Sequence, residues 1–247
     1  MACSARGQDM SRLSISVAMA VYNGELYLKE QIDSILVQLE RTDELVVSYN
    51  KSTDNTLAIL NEYSEKDPRI KVYECSEKGV IANFENAIKN CSNDIVFLSD
   101  QDDVWVKDKV NVMLSNFDND DIGCVIHRPE FVDSELKPIE GPDVEDTVRY
   151  IKPVNILVKN EAQGSCMAFR SSYKEKILPI PRDLPMHDSW IALVISNVAK
   201  VKLIPDKLIL YRQHGNNVSP RSHQKLGKMI SDRRKLSSHI NKRKSQW

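Results

Sequence analysis

The stretch NDIVFLSDQDDVW, residues 93–105, decides how this chain folds. Its four uninterrupted apolar residues, Ile95 to Leu98, suit a strand buried on both faces, as strands of parallel sheets are. The run then meets Asp100, Asp102 and Asp103, three carboxylates within four positions. Side chains of one sign packed this closely repel, and they stay ionised together only if a cation or hydrogen-bond donors relieve them. A strand end and a ligand site therefore coincide. Hard divalent cations such as Mg2+ or Mn2+ take oxygen ligands and suit a D-x-D placed there. An acidic turn that merely ends a strand is the competing explanation.

Upstream, the same strand, polar loop and helix arrangement recurs. Leu13 to Val21 is apolar and small, Tyr22-Asn23-Gly24 supplies turn chemistry, and Ile32, Ile35, Leu36 and Leu39 follow at helical spacing. Leu45 to Val47 predicts a second strand, Tyr49 to Asn55 a polar loop, and Leu57, Leu60 and Tyr63 a helix stripe that Ser52, Thr53 or Asp54 would cap. A third strand around Ile70–Tyr73 precedes a helix face made by Ile81, Phe84, Ile88 and Cys91. Such alternation implies a parallel sheet covered on both faces by right-handed crossovers. Sheets of this kind bind ligands beyond the carboxyl ends of their strands. The loops Tyr22–Gly24, Tyr49–Asn55 and Asp100–Asp103 are thus expected to converge on one crevice.

Downstream, Val110, Leu114 and Phe117 give another helix face and Ile122–His127 another strand, while residues 129–153 read as a long excursion or flap. A short strand covers Cys166–Phe169, a helix starts near His187, and one or two strands run through Val201–Ile204 and Leu208–Tyr211. Residues 221–247 carry nine Lys or Arg against one Asp and predict a basic amphipathic helix, suited to an anionic membrane surface or simply packed on the domain.

The 247 residues suffice for one substantial α/β domain, and a net charge of −1 gives no whole-molecule attraction to polyanions. Nucleic acid is not an expected partner, since the basic tail lacks aromatic interleaving apart from Trp247. Neither G-x-x-x-x-G-K nor G-x-G-x-x-G occurs, which excludes P-loop and dinucleotide-binding chemistry. Five widely spaced cysteines without a C-x-x-C pattern argue against a disulfide framework and for a reducing, cytoplasmic setting. No apolar stretch approaches the roughly 20 residues of a membrane span.

The segment 93–105, with Gly79 and NFENAI (83–88) before it, resembles the D-x-D-D region of family 2 inverting glycosyltransferases, in particular a bacterial rhamnosyltransferase-like branch. The likeness continues in VAMAVYNG (17–24), STDNT (52–56), QGSCMAFR (163–170), MHDSWIALV (186–194) and LYRQHGNNVS (210–219), in the family's order. It implies a GT-A fold, a Rossmann-like, mostly parallel sheet flanked by helices. That fold is one continuous domain, residues 14–219, with a nucleotide-binding and an acceptor-binding half. Residues 1–13 remain as a disordered leader and 220–247 as the basic segment.

The same resemblance makes Asp102 the metal ligand, with Asp100 near the ribose or the metal and Asp103 orienting the site or touching the sugar. His214 would contact the diphosphate or the metal, and Arg212 and Gln213 the phosphate or sugar. Tyr22, Asn23, Asp54, Asn83 and Gln101 join the donor site. Asp188 takes the position of the base that removes the acceptor's proton, although an acidic residue there would also cap its helix. The implied donor is a UDP- or dTDP-sugar with Mn2+ or Mg2+, and the acceptor a glycan or lipid-linked oligosaccharide.

One loop departs from the family. Relatives read S-D-D-G-S-T-D where this chain has SYNKSTD (48–54), so Tyr49, Asn50 and Lys51 replace two aspartates and a glycine. Asn50 would accept the base's imide N–H through a neutral bond of about half the strength, and Tyr49 would stack on the base. Altered nucleotide selection is one consequence. A catalytically weakened sugar-nucleotide-binding subunit is the other.

Overall fold

The computed structural model describes residues 12–142, 147–158, 161–215 and 226–247. The first half alternates strand and helix: β1 (Ile15–Val21), α1 (Leu28–Leu36), β2 (Glu44–Tyr49), α2 (Thr56–Lys66), β3 (Ile70–Glu74), α3 (Val80–Asn90) and β4 (Ile95–Ser99). Next come β5 (Val104–Trp105), α4 (Lys109–Ser115), β6 (Ile122–Val132), β7 (Arg149–Ile151), α5 (Pro153–Val158) and β8 (Met167–Arg170). The chain continues through α6 (Lys174–Ile177), α7 (His187–Ser196), β9 (Lys200–Arg212) and α8 (Leu226–Lys244).

Among the described residues nine strands form one sheet in the order β3-β2-β1-β4-β8-β6-β9-β5, with β7 added along β9. The four strands on the β3 side are parallel, with Val17 facing Leu45 on one side and Phe97 on the other. β8 runs antiparallel to both β4 and β6, so it joins the two halves without a break. Ile95, Val96, Phe97 and Leu98 are all fully buried, as their unbroken apolar run required.

The structure corrects several sequence expectations. In α2 the inward face is Thr56, Ile59 and Leu60, and Leu57 is exposed. Asp54, not Ser52 or Thr53, receives the Thr56 N–H at its start. Within the excursion after Pro129, β6 continues to Val132 beside β9 and β7 pairs with β9 again, while residues 143–146 lie outside the described residues. Pro129 has no N–H to give, and the ladder accommodates it with a shift of register on either side of Arg128. Of the one or two strands expected there, the structure has one, β9. Of the expected leader, residues 1–11 lie outside the described residues, while Arg12 is anchored on Asp43 at 2.9 Å.

Helix α8 packs Leu236 and Ile240 against the core. Some of its cations bond main-chain carbonyls of the domain and the rest face solvent. Arg233 bonds the Val158 carbonyl, Lys235 that of Asp183, and Arg243 those of Lys176, Leu178 and Pro179. Lys228, Arg234, Lys242 and Lys244 stay exposed. No described helix is long and apolar enough to cross a membrane. Cys75, Cys91, Cys124 and Cys166 are free and buried.

Candidate active site

The three polar loops at the strand ends meet, and hydrogen bonds between them explain why. Asn23, whose φ of 48° is eased by its short polar side chain, donates its N–H to Ser52 Oγ and accepts the Thr53 N–H at 2.9 Å on Oδ1. The Gly24 N–H reaches Thr56 Oγ1 at 2.8 Å, and Asp54 accepts from the Glu25 N–H and from Thr56. Gln101 pairs with Tyr22 as a strand would, accepting its N–H at 2.8 Å and donating to its carbonyl at 2.9 Å. A Cβ on Gly24 would lie 2.6 Å from Gln101 Oε1, so only glycine leaves room for this pair. The arrangement leaves the Tyr22 ring about half exposed at the crevice.

Asn83 is buried, bonding the Val21 carbonyl and accepting from Ser48 at 2.6 Å. It, like Asp54, braces the loops from behind. Tyr49 is also buried and its hydroxyl accepts the Ser52 N–H, so the expected stacking on a base has no exposed face to use. Asn50 donates both amide hydrogens, to the Cys75 carbonyl at 2.7 Å and the Glu77 carbonyl at 2.9 Å. Those two carbonyls fix which way the amide points, leaving Oδ1 as an acceptor.

Asp102 Oδ2 and His214 Nε2 stand 2.8 Å apart, with 18% and 12% of their side chains exposed. A carboxylate oxygen and an imidazole nitrogen at this spacing suit a divalent cation, Mn2+ more than Mg2+. Among the described residues no cluster of three or more such side chains is arranged to hold a metal. Asp100, expected as a further ligand, does not complete such a set. A cation held by the pair would take its remaining ligands from water and substrate oxygens.

Asp100 is pushed up to about 7, by burial first and then by the carboxylates of Asp102 and Asp188. The acidic loop and the start of α7, 88 residues apart in sequence, therefore share one electrostatic environment. Asp188 is buried in the first turn of α7 and accepts the Ser189 N–H. The N-cap Met186 offers no side-chain bond, so Asp188 satisfies one of the helix's first-turn N–H groups, and this bond is compatible with a second role at the crevice.

Asp103 is fully buried, and burial followed by Asp100 and Asp102 raises its carboxyl well above the usual range. It accepts the Arg212 N–H at 3.0 Å and faces inward, which corrects the expectation that it touches the sugar. Arg212 is 2% exposed with its donors turned on protein groups, so it is no phosphate contact. His187 is buried and stacked on Phe84 with ring centroids 3.8 Å apart. The turn expected at 215–217 lies outside the described residues beyond Gly215.

Sequence reasoning missed Lys109. Its ammonium is buried, donates to the Ser165 carbonyl at 2.9 Å and lies 4.3 Å from the Trp105 ring centroid. Burial lowers it to about 8, against the opposing pull of Cys166, Asp103 and Asp100. Nothing in the run VKDKV (106–110) separates Lys109 from the exposed Lys107. Tyr211 was missed as well. Its hydroxyl is raised by burial and then by Asp100, Asp103 and Asp102.

Several known proteins are similar to this chain in sequence or in fold. An uncharacterized glycosyltransferase of Nostoc sp. is 27% identical over 220 residues, 83% of this chain and 66% of that protein. The dTDP-rhamnosyl transferase RfbG of Shigella flexneri is 39% identical over 98 residues, 37% of this chain and 34% of that protein. The chain thus spans at most about two thirds of these relatives. Among solved structures, S. aureus TarS 1–349 in complex with UDP-GlcNAc superposes with a TM-score of 0.73 at 18% identity, over 92% of this chain and 66% of that one. The mannosyltransferase PcManGT of Pyrobaculum calidifontis, in complex with GDP-Man and Mn2+, gives 0.63 at 20% identity, over 82% and 57%. These likenesses identify the fold as GT-A. The pattern of the family described as Glycosyl transferase family 2 matches residues 16–178, and the chain belongs to that family.

Proposed function

We propose that this protein transfers a sugar, with inversion, from a nucleoside-diphosphate donor to a hydroxyl of a glycan or lipid-linked acceptor in cell-surface polysaccharide synthesis. The observation that carries this reading is the 2.8 Å Asp102–His214 pair at the strand ends, with Asp188 packed beside Gly164 close enough for its charge to act on Asp100. Asp102 and His214 would hold Mn2+ or Mg2+, which when bound neutralises the leaving diphosphate as a Lewis acid. Asp188 removes the proton from the acceptor hydroxyl on the face opposite the leaving group. The fixed Asn50 Oδ1 accepts an imide N–H, which favours the uracil or thymine of a UDP or dTDP donor over cytosine. RfbG and TarS, named for dTDP-rhamnosyl transfer and bound to UDP-GlcNAc respectively, support that choice of bases.

The exposed cations of α8 support contact with an anionic membrane surface from the cytoplasmic side. The altered loop at Tyr49–Lys51 favours a second reading, a donor-binding subunit with weakened catalysis. Thermal unfolding in the presence of UDP-, dTDP- and GDP-sugars with Mn2+ or Mg2+ tests donor binding, because ligands of the native state raise the midpoint by mass action. Metal-dependent hydrolysis of the protecting donor then separates the readings. An enzyme releases free sugar of inverted configuration, and a binding subunit releases none.

A further inference from the structure

Arg212 closes a ring of contacts around the Asp102–His214 pair. Its main-chain N–H bonds Asp103 Oδ1 at 3.0 Å and its Nε bonds the Asp102 carbonyl at 2.9 Å. Nη1 reaches the Ser134 carbonyl at 2.7 Å and Nη2 reaches Glu30 Oε2 at 2.5 Å. The guanidinium lies 4.4 Å from the centroid of Tyr27, whose ring is in turn 5.0 Å from that of His214. His214 returns to Asp102 at 2.8 Å. The tie to Asp102 is through its main chain and the tie to His214 is through the Tyr27 ring, so one buried guanidinium fixes both members.

We propose that Arg212, held by Glu30 of α1 and by Tyr27 just before it, is a positioning residue that sets the separation of Asp102 from His214. The proposal rests on the reading that this pair holds the divalent cation. A planar guanidinium suits the task because its donors point in fixed directions and its face stacks on an aromatic ring, which an ammonium reproduces poorly. A donor set of two protein groups needs such support. Neither Asp102 at the tip of a loop nor His214 beyond the end of β9 lies in a regular element. The residues that orient metal ligands typically change affinity by about 10–100-fold when altered.

The test is calorimetric titration of Mn2+ and of Mg2+ into the protein saturated with UDP or dTDP. Wild type is compared with Arg212→Lys, Glu30→Gln, Tyr27→Leu and Asp102→Ala. Glu30 is half exposed, so Glu30→Gln keeps the test open if an Arg212 variant does not fold. The expected result is a Mn2+ dissociation constant raised about 10–100-fold in the Arg212, Glu30 and Tyr27 variants. The rise for Mg2+ is expected to be smaller, because that ion keeps several waters and depends less on His214. General loosening of the fold would weaken both ions alike and would overturn the proposal. Mn2+ binding that is lost in Asp102→Ala yet unchanged in the folded Arg212, Glu30 and Tyr27 variants overturns the positioning role alone. Mn2+ binding that survives Asp102→Ala overturns the underlying reading of the site.

Discussion

His214 Nε2 meets Asp102 Oδ2 at 2.8 Å across 112 residues of chain. Asp102 lies on the loop after β4 and His214 follows β9, strands that are not neighbours in the sheet. If this pair holds the cation, Asp102→Ala lowers kcat by about 100-fold or more, the scale of losing a main electrostatic stabiliser. His214→Ala is expected to lose less and to shift the preference from Mn2+ towards Mg2+. Initial rates with each metal check this, and full turnover in Asp102→Ala would refute it.

Asp188→Asn is expected to lower kcat by about 100- to 10,000-fold while leaving donor affinity unchanged, because the amide cannot take a proton. The measurement pairs steady-state rates with donor titration. A fall in stability without a fall in kcat would return Asp188 to a structural role.

Gly24→Ala drives a methyl into Gln101 Oε1 and is expected to destabilise by about 1–3 kcal/mol while raising donor KM. The penalty should shrink when Gln101 is also replaced by alanine, since the clash partner is gone. Urea denaturation of the double-mutant cycle reads the coupling directly. Purely additive effects would show that the loops are not held through this pair.

Asn50→Asp restores the family's acid but is expected to destabilise by about 1–3 kcal/mol, because it sets a carboxylate oxygen against the Cys75 and Glu77 carbonyls. Denaturation midpoints and donor dissociation constants are the readouts. A variant as stable as wild type that binds donor more tightly would mean that the loop rearranges around the acid.

Burial holds His187 down at about 3, against 6.5 for the ordinary imidazole. Between those values the unfolded chain binds the proton and the folded chain does not, so stability rises with pH through this window and is lost as pH falls. His187→Leu removes that contribution. The difference in unfolding free energy between variant and wild type should change by about 1.4 kcal/mol per pH unit from pH 6 to pH 4. A constant difference across that range would mean that His187 is protonated in the native state.

The sequence by itself determined the parallel half of the sheet, the convergence of three loops on its edge, and the presence of Asp102, Asp188 and His214 on or beside strand ends and a helix start. Local periodicity carries that information, because a strand buried on both faces is apolar at every position and a turn needs residues of particular shape. Only the tertiary structure decided which polar groups face the crevice. Asp103 and Arg212 sit one residue from Asp102 and two from His214, yet they turn inward and bind each other. Lys109 and Lys107 are alike in sequence and opposite in exposure. Neighbouring side chains on an irregular loop have no fixed period, so the long-range partners that satisfy buried charge choose their direction, and these become visible only when the chain is folded.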